Sequence, residues 1–423
     1  MNWLVALFVA ALVAETLIRL WLGSRQIAAV GAHRDRVPEV FRGQIAIEDQ
    51  QKAADYTIAR ARLGRWATVV EALIKLAFTV GGGLAAVNAL IAPLNLSEPW
   101  RGCVVVLTVF VLLQVLGLPF ALWRTFRIET RFGFNRVTPW LYVVDLAKQW
   151  TLGLVLGAPL VLAVLALMQR AGTWWWAWAW LVWLGTAMVL TWAAPRFIAP
   201  LFNRFTAITD VSLKERVEAL LQRCGFTASG GVFVMDGSRR SAHGNAYFTG
   251  IGRNKRIVFF DTLLARIEID EVEAVLAHEL GHFRLHHVRQ RLVTSLATAL
   301  GGLALLGWLA GAPQFYAAFG VPESPAMALL LFVLIVPAFA FFATPFEAWW
   351  SRRQEFAADE FATQYADAGK LITALVKLYR DNATTLTPDH VHSAFYDTHP
   401  SAVTRITRLK QLAAQGDQQL VAP

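Results

Sequence analysis

Six uncharged, mostly apolar stretches constrain the fold of this 423-residue chain more than any other feature. They cover residues 76–97, 102–123, 149–169, 171–195, 292–322 and 324–346. A helix needs about 20 apolar residues to cross the roughly 30 Å hydrocarbon layer of a bilayer, and each stretch is long enough. Each one is therefore predicted to be a transmembrane helix.

The N-terminal residues 1–22 form a seventh candidate span, although they contain Glu15 and Arg19. These two residues are four apart, so they can pair on one helix face. Basic residues follow this stretch instead of preceding it, unlike in a secretory signal, so we expect a retained anchor. Charged residues make up 16% of the chain, against about 25% in soluble domains. These features predict an all-α polytopic membrane protein with about seven transmembrane helices.

Lys and Arg are concentrated in alternate loops, and this predicts the orientation of the spans. The loops after the first and third predicted spans are rich in them: Arg25, Arg34, Arg36, Arg42, Lys52, Arg60, Arg62 and Arg65 in one, Arg124, Arg127, Arg131, Arg136 and Lys148 in the other. The intervening loops contain almost no Lys or Arg. Odd-numbered loops and the C-terminus are therefore expected in the cytosol. This also accounts for the net charge of +9, so no nucleic-acid partner is expected.

The topology divides the chain into four parts. Residues 1–195 hold spans one to five with cytosolic loops, 196–291 form a cytosolic segment, 292–346 hold spans six and seven, and 347–423 form a second cytosolic segment.

The first cytosolic segment shows both strand and helix patterns. Residues 231–235 are apolar and predict a strand, whereas 245–249 and 256–260 flank a turn at 252–255 and predict a β-hairpin. Asp270 is predicted to cap a helix that follows it. A small α+β domain is expected here.

The predicted helix contains His278-Glu279-Leu280-Gly281-His282, the HEXXH pattern. Residues four apart share a helix face, so both imidazoles can bind one zinc ion at about 2.0 to 2.1 Å. Glu279 lies on an adjacent face, where it can act as general base towards a water at the open coordination position. The pattern predicts one zinc per chain, in a zincin-like domain.

A catalytic zinc needs a third protein ligand, and the residues leave two candidates. The metzincin spacing places its third histidine at position 288, which is Val288, so that class is excluded. His286 lies one further turn along the helix. Glu355 is favoured, because Asp359, one turn beyond it, can accept the outer N–H of a ligating histidine. His282 and Glu355 each lie about ten residues from a predicted span, which predicts a site at the cytosolic membrane interface.

The chain resembles the integral-membrane type I CAAX prenyl proteases, which are zinc endopeptidases. The most specific matches are HELGH at residues 278–282 and EFAAD at residues 355–359. Weaker matches cover residues 199–203, 245–248 and 256–262, and His399-Pro400 followed by Arg405.

The resemblance implies zinc ligands His278, His282 and Glu355, with Glu279 as catalytic base and a chamber enclosed by seven helices. His399 resembles the family's distal histidine, a donor to the oxyanion. Separately, Asn245, Ala246, Tyr247 and Phe248 lie on a predicted strand that can pair with an extended substrate.

The motifs and the resemblance together predict a membrane zinc endopeptidase that cuts at the cytosolic interface and resembles proteases that remove the C-terminal tripeptide of prenylated proteins. Two alternatives stay open: a quality-control protease without a prenyl requirement, and a non-catalytic zinc-binding scaffold. The expected partners are the bilayer and a peptide or protein substrate that is prenylated or held in the membrane. No retention signal is visible at the C-terminus, which favours a bacterial inner membrane over the endoplasmic reticulum.

Overall fold

The computed structural model describes residues 2–226, 231–249 and 256–421, and most of these residues are helical. Within them, six helices are long and apolar enough to cross a membrane, or seven if a bent pair is counted as one further span. The predicted polytopic α-helical fold is confirmed.

Seven helices form the N-terminal part: α1 Trp3–Ala32, α2 Ile47–Phe78, α3 Gly83–Ile91, α4 Trp100–Trp123, α5 Pro139–Arg170, α6 Trp175–Ala193 and α7 Ala199–Phe202. The predicted pair on α1 is present, with Glu15 Oε1 2.8 Å from Arg19 Nη2. Lys75 Nζ of α2 lies 3.7 Å from the other oxygen of this buried carboxylate. The acidic charge inside the bundle is thereby compensated by two cations.

The predicted single span over residues 76–97 is wrong in its geometry. Helix α2 continues to Phe78, and the next helix starts at Gly83 after a bend of 56°. Three consecutive glycines cause the break: Gly82 has a φ of +77°, and a Cβ on Gly81 would lie 2.8 Å from the carbonyl oxygen of Ala77. Glycine tolerates both situations because it has no side chain.

The polar segment after α7 forms a small mixed sheet with helices packed against it. Its elements are β1 Phe205–Ala207, α8 Val211–Arg223, β2 Val232–Met235, β3 Ala246–Thr249, β4 Arg256–Phe260, α9 Asp261–Leu264 and α10 Ile269–Arg284. The order in the sheet is β1-β2-β4-β3, so β3 is the outermost strand on its side. The predicted strand at 231–235 is present, and β3 pairs antiparallel with β4 as the hairpin predicts. The predicted turn at 252–255 lies outside the described residues.

Seven helices complete the chain: α11 His287–Ala310, α12 Pro313–Ala318, α13 Pro325–Ala340, α14 Thr344–Tyr365, α15 Ala368–Asp381, α16 His390–Tyr396 and α17 Ala402–Val421. Helix α14 continues the last membrane-crossing helix and packs along α10.

Two large apolar cores and a smaller one around Tyr56 and Phe134 stabilise the described part of the molecule. Of the two large cores, one lies among the membrane helices and includes the fully buried Leu165 and Leu331. The other joins the sheet to α10, α15 and α17 through Phe259, Leu280 and Ile406. The second core holds α10 in place, and α10 carries the HEXXH pattern.

Candidate metal centre

Helix α10 begins at Ile269, nine residues before His278, and two side-chain hydrogen bonds stabilise its start. The cap is Glu268, not the predicted Asp270: the Glu268 side chain accepts from the backbone of Glu271, and the Glu271 side chain accepts from the backbone N–H of Glu268. This arrangement is a capping box, which satisfies two free backbone donors at once. Asp270 lies within the first turn, where its negative charge interacts favourably with the helix dipole.

Gly281 allows α10 and α14 to approach closely. A Cβ at this position would lie 3.1 Å from both the Cα and the carbonyl oxygen of Ala358 on α14. Because the two backbones nearly touch, side chains on either side of this point converge. His278 and His282 of α10 thereby face Glu355 of α14.

The two histidine nitrogens and the Glu355 carboxylate form a compact triangle, in which each carboxylate oxygen lies close to a different histidine. His278 Nε2 lies 3.3 Å from His282 Nε2 and 3.4 Å from Glu355 Oε2, and His282 Nε2 lies 3.3 Å from Glu355 Oε1. Tetrahedral ligands at about 2.0 to 2.1 Å from a metal are themselves about 3.3 to 3.4 Å apart. The buried Glu355 Oε2 accepts no hydrogen bond from the described residues. The donor set and its spacing therefore fit a divalent metal ion.

A buried ion pair between Asp359 and Arg405 contacts the Nδ1 side of the His278 ring. Its Nδ1 lies 2.8 Å from Asp359 Oδ1, and Arg405 donates to both Asp359 oxygens at 2.7 and 2.8 Å. Burial and the Arg405 charge lower the pKa of His278, but the carboxylates of Asp359 and Glu355 outweigh them and raise that pKa to about 9. Without a metal, His278 is therefore protonated at neutral pH.

His282 has a different partner, which no sequence pattern indicated. Its Nδ1 lies 3.0 Å from Nδ1 of His287, the first residue of α11, and His287 is buried. The neighbouring His286 adopts a left-handed conformation with a φ of +61°, lies between α10 and α11, and is exposed. The helix breaks here, so His286 does not continue the face of His278 and His282.

A cavity of about 170 Å³ opens on one side of the triangle. Glu279, Asn245, Ala246 and His399 all line it. His399 Nε2 lies 3.5 Å from Glu355 Oε2, and its side chain is 64% exposed. Four of the residues predicted from sequence to act on a peptide thus share one cleft with the candidate ligand His278.

Arg352 positions the segment that carries His399, and no sequence pattern indicated this role. Its Nη1 donates to the carbonyl oxygens of Ser393 at 3.1 Å and Asp397 at 2.7 Å, at the end of α16. Since Arg352 lies one turn before Glu355 on α14, the same helix fixes both the candidate ligand and the loop with His399.

A polytopic membrane protein with a HEXXH helix opposed by a buried glutamate is an integral-membrane metalloendopeptidase, and the comparisons with known proteins agree. The model described as "CAAX prenyl protease N-terminal, five membrane helices" matches residues 26–204, and the model of peptidase family M48 matches residues 207–413. The chain belongs to the CAAX prenyl protease 1 family of M48 peptidases.

Individual relatives match over most of their length. The CAAX prenyl protease 1 homolog of Caenorhabditis elegans is 30% identical over 97% of this chain and 98% of the relative. The homolog of Arabidopsis thaliana is 36% identical over 69% of each chain. The crystal structure of S. mikatae Ste24p superposes with a TM-score of 0.90 at 26% identity, covering 97% of this chain and 99% of that one. The predicted fold class, family and metalloendopeptidase activity are thereby confirmed. These relatives are eukaryotic and give no support to the predicted bacterial inner membrane.

Proposed function

We propose that the protein is a zinc endopeptidase that cleaves prenylated proteins near their C-terminus at the cytosolic face of a membrane. The observation that carries the proposal is the triangle of ligand atoms from His278, His282 and Glu355 beside a cleft lined by Glu279. The names of the relatives, which are CAAX prenyl proteases, support the choice of substrate.

Two imidazoles and one carboxylate are the donor set of catalytic zinc sites with an open fourth position. When bound, zinc supplies Lewis-acid activation of the scissile carbonyl and of a water. In the proposal, Asp359 orients His278 and His287 orients His282, since each contacts the Nδ1 atom of a ligand whose Nε2 points to the centre.

Glu279 is proposed as the general base. Glu279 lines the 170 Å³ cleft together with the candidate ligand His278 and does not belong to the triangle. It is therefore free to take a proton from the attacking water and to pass it to the leaving amine. His399 borders the same cleft and can donate a hydrogen bond to the oxyanion through an imidazole N–H.

Strand β3 is proposed to hold the substrate. It carries the predicted binding residues Ala246, Tyr247 and Phe248, with Asn245 immediately before it, and it is outermost in the sheet. The backbone of β3 pairs with β4 on one edge, so the other edge can pair with an extended peptide. Asn245 and Ala246 line the cleft, which would place a paired peptide across it.

The proposed orientation follows from the positive-inside pattern, which places both polar segments in the cytosol. The endoplasmic reticulum is the proposed location if the host is a eukaryote, as the relatives are. A quality-control protease without a prenyl requirement would have the same catalytic residues, so substrate specificity must be measured directly.

The test compares two peptides that differ only in a farnesyl group on the cysteine. Zinc-loaded purified protein should cleave the farnesylated peptide with a higher kcat/KM, and Glu279→Gln should retain zinc while losing activity by about 10²-fold or more. Equal cleavage of both peptides would favour the quality-control alternative. Wild-type activity in the Glu279 variant would exclude that residue as the base.

A further inference from the structure

A second, larger cavity lies next to the catalytic cleft. Its volume is about 820 Å³, within the range of ligand pockets, which is about 300 to 1,000 Å³. Asn382, at the end of α15, lines both cavities. The two cavities therefore adjoin at this residue, and a ligand that extends from the cleft beyond Asn382 would enter the larger cavity.

A hydrogen-bonded junction connects the two cavities through the chain that leads into β3. Asn382 Oδ1 accepts from the backbone N–H of Gly244 at 3.1 Å, and its Nδ2 donates to the Gly244 carbonyl at 3.3 Å. His243 Nδ1 lies 3.3 Å from the same amide oxygen. Gly244 lines the small cavity and His243 the large one. The start of β3 is thus the border between them.

Two guanidinium groups face the larger cavity. Arg60 lies over the ring of Tyr56, 5.3 Å from its centre, and no ion pair among the described residues includes Arg60. Arg124 Nε lies 3.5 Å from Glu129 Oε1, and its side chain is 55% exposed. The Glu129 carboxylate also accepts from the hydroxyl of Tyr56 at 2.9 Å. Glu129 is thus shared among several donors, whereas Arg60 makes no ion pair with a described residue, although the carboxyl group of Asp397 also lines the cavity.

Polar atoms without partners also occur on residues that line this cavity. Thr385 Oγ1 and His392 Nδ1 are buried and make no hydrogen bond with the described residues. Buried polar atoms normally have partners, so their occurrence beside two cations is consistent with a polar, anionic ligand.

The direction of β3 determines which end of a bound peptide enters the larger cavity. Antiparallel pairing is the commoner and slightly more stable arrangement, so a substrate strand on β3 would run from the Thr249 end towards Ala246. Its C-terminal end then points past Ala246 towards His243. Three extended residues span at most about 10 Å. His243 is likewise three positions before Ala246 in the chain, so three substrate residues beyond Ala246 can reach its level.

We propose that Arg60 and Arg124 form a binding site for the free C-terminal carboxylate of the substrate, three residues beyond the scissile bond. The inference rests on the proposed function, which supplies a substrate cut near its C-terminus. Arginine suits this role because its planar N–H groups match the geometry of a carboxylate. The site measures the distance from the chain end to the cleaved bond, and so selects C-terminal tripeptides.

The experiment uses a farnesylated peptide with three residues after the modified cysteine, prepared as the free acid and as the C-terminal amide. Wild-type protein should favour the acid by about tenfold or more in kcat/KM, mainly through KM, because a charge-assisted hydrogen bond is lost in the amide. The double variant Arg60→Gln and Arg124→Gln should bring the ratio near one by weakening the acid alone. Arg60→Lys should retain part of the preference.

The matched control is Arg62→Gln, which removes an exposed arginine two residues from Arg60 on the same helix but outside the cavity. It should keep the wild-type ratio. An equal preference in wild type and double variant, or no preference in wild type, would overturn the proposal. Dissociation constants of both peptides, measured with the Glu279→Gln variant, separate the two hypotheses. If wild-type protein does not cleave the peptide while the variant still binds the acid more tightly than the amide, the proposed function is contradicted and the carboxylate site is supported.

Discussion

At the residue scale, the two histidines of the HEXXH pattern contact chemically different partners, a carboxylate in one case and an imidazole in the other. Asp359, paired with Arg405, contacts Nδ1 of His278, whereas the imidazole of His287 contacts Nδ1 of His282. A carboxylate makes the imidazole it contacts a stronger ligand, so we expect the two contacts to contribute unequally to metal binding.

Asp359→Asn should weaken zinc affinity by about 10 to 100-fold, because an uncharged amide orients His278 without increasing its basicity. Competition with a fluorescent chelator measures this change. Glu360→Gln is the matched control, since Glu360 is the next residue on α14 but is exposed and pairs with Arg408. An Asp359 variant with wild-type affinity would show that the ion pair is only structural.

Loss of a candidate ligand should have a larger effect than loss of its neighbour. Glu355→Ala should reduce zinc occupancy strongly, whereas His286→Ala should retain one zinc per chain, because His286 is exposed at the break between α10 and α11. Metal content of chelator-free protein gives the answer. The reverse result would assign the third ligand to His286.

Zinc uptake by metal-free protein should release about one proton from His278 at pH 7.5. The pKa of His278 is raised to about 9, so its imidazole is charged below that pH and must lose its proton to bind a metal. The same raised pKa affects the stability of the metal-free protein. The charged form of His278 stabilises the fold fully below about pH 6.5, and this contribution is lost as the pH rises through 9. Calorimetry in two buffers of different ionisation enthalpy counts the protons, and Asp359→Asn should reduce the number.

At the scale of elements, the site depends on how closely α10 and α14 pack. The fully buried Ala358 contacts Gly281, and this contact brings Glu355 to the two histidines. Two further segments contribute to the site: α17 provides Arg405, and the loop after α16 provides His399. Five residues around the centre therefore come from four different parts of the chain.

Gly281→Ala should lower both stability and zinc affinity. The added Cβ would lie 3.1 Å from backbone atoms of Ala358, which cannot rotate away as a side chain can, so the helices must separate. Overpacking of this kind costs about 1 to 3 kcal/mol. Thermal unfolding and metal competition measure the two effects. Gly301→Ala is the control, because nothing lies within 4 Å of a Cβ at that position on α11.

At the scale of the whole molecule, the candidate metal centre lies where the polar segment meets the membrane helices. Helix α14 runs directly from the last apolar helix to Glu355, and α11 starts at His287 beside His282. A substrate with a lipid anchor could thus present its peptide to the cleft without leaving the bilayer.

The predicted orientation can be tested by cysteine labelling in sealed vesicles. Cys103 and Cys224 are buried and would be replaced first, and single cysteines would then be placed at Ser238 or Gln415, which are exposed. Both positions should react only from the cytosolic side, because the positive-inside pattern places both polar segments there. Reaction from the opposite side would invert the topology and move the proposed cleavage out of the cytosol.

The sequence by itself determined the features that depend on neighbouring residues. Apolar length predicted the membrane helices, the i, i+4 spacing predicted that His278 and His282 share a face, and two strand-like runs on either side of a turn predicted the β3–β4 hairpin. Each of these is a local pattern, so it can be recognised without knowledge of the fold. The spacing of Glu355 and Asp359 favoured Glu355 as the third ligand, and the family resemblance added His399 to the predicted site.

Only the tertiary structure decided the contacts between distant segments. It placed Ala358 against Gly281, Arg405 against Asp359 and His287 against His282, and it bent the predicted second span at its glycines. It also joined the larger cavity to the cleft at Asn382. Such contacts leave no periodic signal, because helices distant in sequence meet only after each has packed against the shared core, and the residues at the meeting point are chosen for shape and charge rather than for spacing along the chain.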